Sequence, residues 1–185
     1  VAVNELVIDA CALINLLSTG DEDRLVGALG MHLVTTSLAR AEVRFRRGPP
    51  DDEGVPTQVP LDVDRLIREG ILSVRPMDGA VRDAFVAAVS AGLRDADASV
   101  VALAGTSGTP LASDDNRVRK IAPRLYPSLQ LRSTLGLVRD AYERIGVTPS
   151  DLRDFARRLS SGGNFLPPKS DEHRVWFSAL LEDVQ

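Results

Sequence analysis

A chain of 185 residues with 44% apolar side chains is long enough for one domain with a genuine core. Its net charge of −4 excludes a globally basic surface, so a polyanion would have to be met by local arginine patches. The single cysteine, Cys11, excludes an intrachain disulfide. No apolar run reaches membrane-spanning length, and Glu5 and Asp9 break any signal-peptide pattern, so a cytoplasmic protein without membrane contact is expected.

In chain order, LVI (6–8) reads as a short buried strand and CALINLL as the helix after it. DEDRLVGAL (21–29) has acids in its first turn and Leu25, Val26 and Leu29 on one face, a second helix. MHLVTT (31–36) is the next strand, and Ser37 is placed to cap a helix through LARAEVRFRR that Gly48 and Pro49 end. RGPPDDEGVPTQVP (47–60) has the composition of a mobile loop. LDVDRLIRE is a helix with Gly70 at its C′ position, and ILSV (71–74) a strand. Two helices follow, over GAVRDAFVAAVSAG and DASVVALAGTSG. Then come a strand at PLAS (110–113), a helix NRVRKIA stopped by Pro123, and a last short strand at LQL (129–131).

Strands alternating with helices, each strand short and apolar, predict a three-layer α/β/α sandwich with a mainly parallel central sheet over residues 1–132. From Ser133 the alternation stops. Residues 133–185 read as a helical C-terminal extension packed on that domain, with Thr148, Pro149 and Asp151 marking one helix start. The apolar tail side chains Trp176, Phe177, Leu180 and Leu181 suit either the chain's own core or a partner.

Nucleotide-binding glycine fingerprints and a G-x-S-x-G elbow are absent. His32 and His173 share no ligand-like spacing with Cys11, which argues against zinc and against a serine–histidine triad. The chemistry must therefore come from acids. Asp9 follows the first strand, where it either caps the next helix or faces a crevice. Glu42 lies one turn from Leu38 and from Phe45, with Arg46 as a possible ion-pair partner. Asp97, Val100, Val101 and Ala104 form one helical stripe, which favours Asp97 for chemistry and Asp95 for capping. Of Asp114 and Asp115, one is expected to cap the next helix and the other to face the crevice. Carboxylates gathered at one sheet edge repel, and a divalent cation relieves that repulsion. Oxygen-only ligation suits Mg²⁺ or Mn²⁺.

VIDACALINLL, TTSLARAEV, DADASVVALA and LASDDNRVRKIA, in this order over residues 5 to about 125, resemble the PIN-domain family. These are metal-dependent ribonucleases that include the VapC-type toxins of toxin–antitoxin pairs; the helical tail is similar to a subgroup with such an extension. The resemblance implies hydrolysis of RNA phosphodiester bonds. It places Asp9, Glu42, Asp97 and Asp115 as catalytic acids and ligands for Mg²⁺ or Mn²⁺, leaving Asp95 and Asp114 as alternative ligands. Ser113 takes the place of a threonine, and Asn15 that of a polar residue in the first helix. With Arg44 and Arg117 they are the expected substrate contacts. Arg40, Arg46, Arg47, Arg119 and Lys120 are further phosphate candidates. The implied partners are RNA, a small antitoxin protein and a second copy in a homodimer. Ala10 and Cys11 depart from the family's usual hydroxyl residues. A non-catalytic PIN-like module that binds RNA or protein, with acids that cap helices and pair with arginines, is the competing expectation.

Overall fold

The computed structural model describes residues 4–162 and 165–182. In chain order the first half contains β1 (Asn4–Ile8), α1 (Ala10–Ser18), α2 (Glu22–Leu29), β2 (Met31–Thr36), α3 (Ser37–Glu42), β3 (Phe45–Pro50), β4 (Pro56–Pro60), α4 (Val63–Arg68), β5 (Leu72–Arg75) and α5 (Gly79–Ser90). The second half contains α6 (Asp95–Ser107), β6 (Leu111–Ala112), α7 (Asn116–Leu125), β7 (Leu131–Arg132), α8 (Thr134–Ile145), α9 (Pro149–Gly162) and α10 (Arg174–Glu182).

Five parallel strands form the central sheet in the order β5-β2-β1-β6-β7. Parallel neighbours require crossovers, and the helices supply them on both faces, as the alternation of elements predicts. Side chains of β1 divide by the strand period of two. Leu6 and Ile8 enter one core with Leu33, while Val7 enters the other with Val34 and Leu111. The first core is closed by α1 and α2 together with the C-terminal helices, through Leu13, Leu25, Leu135, Phe155 and Phe177. The second is closed by α3, α5, α6 and α7, through Ala39, Ala88, Val101 and Val118. Because each strand is covered twice, the strands read as apolar runs and not as alternating patterns.

The C-terminal helices bring an aromatic cluster to the first core. Tyr142 meets Phe155 edge-on at 5.4 Å between ring centres, and Phe155 and Phe165 both meet Phe177. Phe177 is buried, and Trp176, Leu180 and Leu181 pack against the same core, so these tail residues serve the chain's own interior. Helix α9 begins with a reciprocal cap: Asp151 N–H donates to Thr148 Oγ1 at 3.2 Å, and Thr148 N–H donates to Asp151 Oδ2 at 3.0 Å. Thr148→Ala is expected to lower stability by about 1 kcal/mol, read as a shift in the urea midpoint at unchanged slope.

Four expectations about local structure are corrected. The helix through LARAEVRFRR ends at Glu42, and Thr36, not Ser37, caps it by accepting from Ala39 N–H at 3.2 Å. Val43 then turns inward, and residues read as helix and loop instead form the antiparallel β3–β4 ribbon, pairing Phe45 with Pro60 and Arg46 with Val59. Pro49, Pro50, Pro56 and Pro60 withhold donors, which confines this ribbon to two strands. Pro123 does not stop α7, which runs on to Leu125. Helix α6 begins at Asp95 with Arg94 in the cap position and no side-chain cap bond, so Asp95 is exposed and caps nothing.

Candidate metal centre at the switch point of the sheet

From β1 the chain moves through β2 to β5 on one side, and returns through β6 to β7 on the other. The order reverses between β1 and β6, and their carboxyl ends open a crevice there, the usual location of sites in open parallel sheets. Ile8 pairs with Ala112, and Asp9 N–H donates to Ala112 O at 3.1 Å. One strand pair therefore sets Asp9 beside Ser113, Asp114 and Asp115, about a hundred residues away in sequence.

Asp9 does both things the sequence left open. Its Oδ1 caps α1 by accepting from Ala12 N–H at 2.6 Å. Its Oδ2 is buried with no hydrogen-bond partner. Burial pushes the carboxyl up to about 7; Ser113 and the Ala12 amide oppose the rise, and the negative charges of Asp114 and Asp97 add to it. A buried carboxylate oxygen without a partner is costly unless something binds it.

Asp97 lies in the first turn of α6, turned inward at 8% exposure. Burial raises its pKa, Asp115 and Glu42 raise it further, and Arg94 opposes them. Asp115 caps α7 by accepting from Arg117 N–H at 2.7 Å and Val118 N–H at 3.1 Å. Arg94 reaches both acids, with Nε 3.4 Å from Asp97 and Nη2 3.9 Å from Asp115. Arg94, Asp97, Asp115 and Arg117 line a cavity of about 200 Å³. Glu42 ends α3 and is exposed at the rim, not turned toward an apolar face as its spacing from Leu38 and Phe45 suggested. The Thr36 hydroxyl lies 2.5 Å from that of Ser99, which ties the helix carrying Glu42 to the helix carrying Asp97.

Asp114 is used differently. Its Oδ1 accepts from Thr134 N–H at 3.0 Å, and its Oδ2 accepts from the Thr134 hydroxyl and from Asn15 Nδ2 at 3.0 Å. Burial raises its pKa while these donors hold it down. Asp114 thus fastens the head of α8 to the sheet. Asn15, expected at the substrate, is buried and spends its amide on Asp114. Ser113 is fully buried, and its hydroxyl accepts from Asp115 N–H at 3.2 Å. Both are buried, Ser113 against Asp9 and Asn15 against Asp114.

Of the expected arginines, Arg117 borders the acidic cavity, its Nη1 donating to Gly92 O at 3.3 Å. Arg44 lines a separate cavity with Arg40, Asp62 and Asp64, and its Nε donates to Ala41 O at 2.8 Å. Arg40 is held by Asp64. Cys11, an exposed residue, nonetheless has its thiol pushed up to about 12, by desolvation first and then by the charges of Asp9, Asp114, Asp115 and Asp97. In the metal-free protein it is therefore a neutral thiol at ordinary pH.

Two residues of the site escape a reading of the sequence. Arg94 stands three positions before Asp97, a spacing that could have suggested the pair. Thr134 reaches Asp114 only through tertiary packing, and nothing local signals it. Among the described residues, no three acids, histidines or cysteines are arranged to hold one metal ion as the side chains now stand.

The fold and crevice define an α/β protein with a parallel sheet, an acidic switch point and a helical C-terminal layer. The chain matches no family model, no curated protein and no solved structure significantly.

Proposed function

We propose that the protein is a divalent-metal-dependent endoribonuclease of the PIN type, acting as the toxin of a toxin–antitoxin pair. The observation that carries this reading is the buried Oδ2 of Asp9, which among the described residues accepts no hydrogen bond within normal geometry, with Asp97 close enough to raise its pKa. An all-oxygen donor set with an orphaned carboxylate oxygen fits Mg²⁺ or Mn²⁺. Asp9, Asp97 and Asp115, which are not gathered around one point in the metal-free structure, would have to close together to hold the ion, Asp114 being committed to Thr134 and Asn15. Such an ion, when bound, would lower the pKa of water and stabilise a leaving phosphodiester oxygen. Glu42, exposed and with a charge felt at Asp97, would assist by orienting a water. Arg117, which lines the cavity, would take a phosphate oxygen. RNA is the proposed substrate, and a small antitoxin and a second copy of the chain are the proposed protein partners.

A second reading has its own observation. Arg94 already neutralises Asp97 and Asp115, as it would in a non-catalytic PIN-like module that binds RNA or protein without metal. Titration with Mn²⁺ by calorimetry, followed by incubation with a generic single-stranded RNA, separates the two. The nuclease reading expects saturable Mn²⁺ binding and RNA fragments that EDTA prevents, with Asp97→Asn losing both. A wild-type protein that takes up no Mn²⁺ and leaves RNA intact is the module.

A further inference from the structure

The β3–β4 ribbon leaves the body of the protein directly after Glu42. Two residues, Val43 and Arg44, separate Glu42 from Phe45, at most about 10 Å of chain. A two-stranded ribbon is marginal alone and needs support; here β3 packs against α9. The face it turns to solvent is unusual. Phe45 is 46% exposed, and its cross-strand partner Pro60 and neighbouring Gln58 are exposed beside it. Arg44, Arg46 and Arg47 neighbour Phe45 in the sequence, with Arg47 on its face of the strand and Arg46 on the other, and no acid occurs between Glu42 and the turn acids Asp51, Asp52 and Glu53. Among the described residues, no ion pair joins Arg44 or Arg46 to an acid. Arg46 and Arg47 also line a cavity of about 550 Å³, with Ser160 and Ser161 of α9 in the same lining.

An exposed aromatic ring among arginines matches a polyanion whose bases are free to stack. The same ribbon is poorly made for a protein strand, because Pro49, Pro50, Pro56 and Pro60 remove the edge donors that strand addition needs. A duplex keeps its bases paired and offers no face to Phe45.

We propose that the β3–β4 ribbon is a platform for single-stranded RNA. It stacks an unpaired base on Phe45 and carries the adjoining phosphates over the ribbon to Arg46 and Arg47 in the cavity beside α9, with Glu42 three positions back along the chain from Phe45. The choice of RNA rests on the nuclease reading above; the geometry of stacking does not.

The test uses the full chain in EDTA, so that binding is read without cleavage. Fluorescence anisotropy is measured with a short labelled mixed-sequence RNA, single-stranded and as its duplex. Phe45→Ala is expected to weaken single-strand binding about tenfold or more, while Phe45→Trp retains it. Arg46→Ala is expected to lower the slope of log affinity against log salt by about one, and Phe45→Ala to leave the slope unchanged. Circular dichroism melts of both variants should stay close to wild type, since Phe45 is exposed and Arg46, half-buried at the edge of a cavity, makes no ion pair among the described residues. Equal affinity of wild type and Phe45→Ala, or duplex binding as tight as single-strand binding, overturns the proposal. So does a wild-type dimer that Phe45→Ala dissociates in sedimentation, which would make the patch a contact between copies. If Phe45-dependent binding is seen but no Mn²⁺-dependent cleavage, the platform stands and the nuclease reading fails; cleavage and binding both indifferent to Phe45 and Arg46 mean the reverse.

Discussion

Asp9→Asn is expected to abolish Mn²⁺-dependent RNA cleavage and, in the same molecule, to raise the melting temperature of the metal-free protein at about pH 8. Both effects come from one buried oxygen. Among the described residues Asp9 Oδ2 accepts no hydrogen bond within normal geometry, and burial, opposed by the nearby Ser113 side chain and the Ala12 amide, pushes the carboxyl from its ordinary 3.8 up to about 7. In the unfolded chain the group releases its proton near its ordinary value. Between those two values the folded state therefore holds more protons than the unfolded one, and stability falls as pH rises. The favourable contribution is complete below about pH 4 and is lost as pH passes through about 7. At 1.36 kcal/mol per unit, the charged carboxylate costs the metal-free fold about 4 kcal/mol, with the group almost entirely desolvated. Asparagine is as good a helix cap as aspartate and carries no charge, so the α1 cap survives.

Melts in EDTA at about pH 5 and about pH 8 check this. Wild type should lose stability across that interval more steeply than Asp9→Asn. On adding Mn²⁺, wild type should gain stability by mass action and the variant should not. A variant less stable than wild type at the higher pH would mean that Asp9 serves the fold alone. Retained cleavage would remove it from the reaction.

Asp114→Ala is expected to cost about 2–4 kcal/mol in urea unfolding, because it leaves the Thr134 amide and hydroxyl and the Asn15 amide without their acceptor in a buried place. Thr134→Val removes only the hydroxyl bond and should cost about 1 kcal/mol. The pair also decides between the two neighbouring acids. If Asp114 fastens α8 and Asp115 faces the ion, Asp114→Ala weakens the fold while the residual folded protein still binds Mn²⁺. A variant of unchanged stability that no longer binds Mn²⁺ would assign the ligand to Asp114 instead.

The alternation of short apolar strands with helices is a local property, and so the layered α/β architecture is legible in the amino-acid sequence alone. The same holds for the stripe that turns Asp97 inward, for the Thr148–Asp151 cap and for Gly70 after α4. The ribbon is not legible. LARAEVRFRR satisfies a helical pattern through Ala39 and Val43, and the pairing that makes Phe45–Pro50 a strand involves residues up to fifteen positions away. Pro123 misleads for a related reason: a proline in the last turn of α7 leaves the rest of the helix intact. At the site, the sequence offers acids in a suggestive order but leaves each its alternative as a cap.

What the sequence determined by itself was the period of each element and the kind of chemistry available, oxygen ligands with no usable thiol or imidazole set. What only the tertiary structure decided was the assignment of each acid. Asp9 both caps and leaves one oxygen bare, Asp115 caps at the rim, Asp95 faces water, and Asp114 is consumed by Thr134. Capping depends on the next few residues and can be guessed locally. Burial, loss of solvent and an absent partner depend on which strand lies alongside, and the pairing of β1 with β6 is set by the packing of the whole sheet.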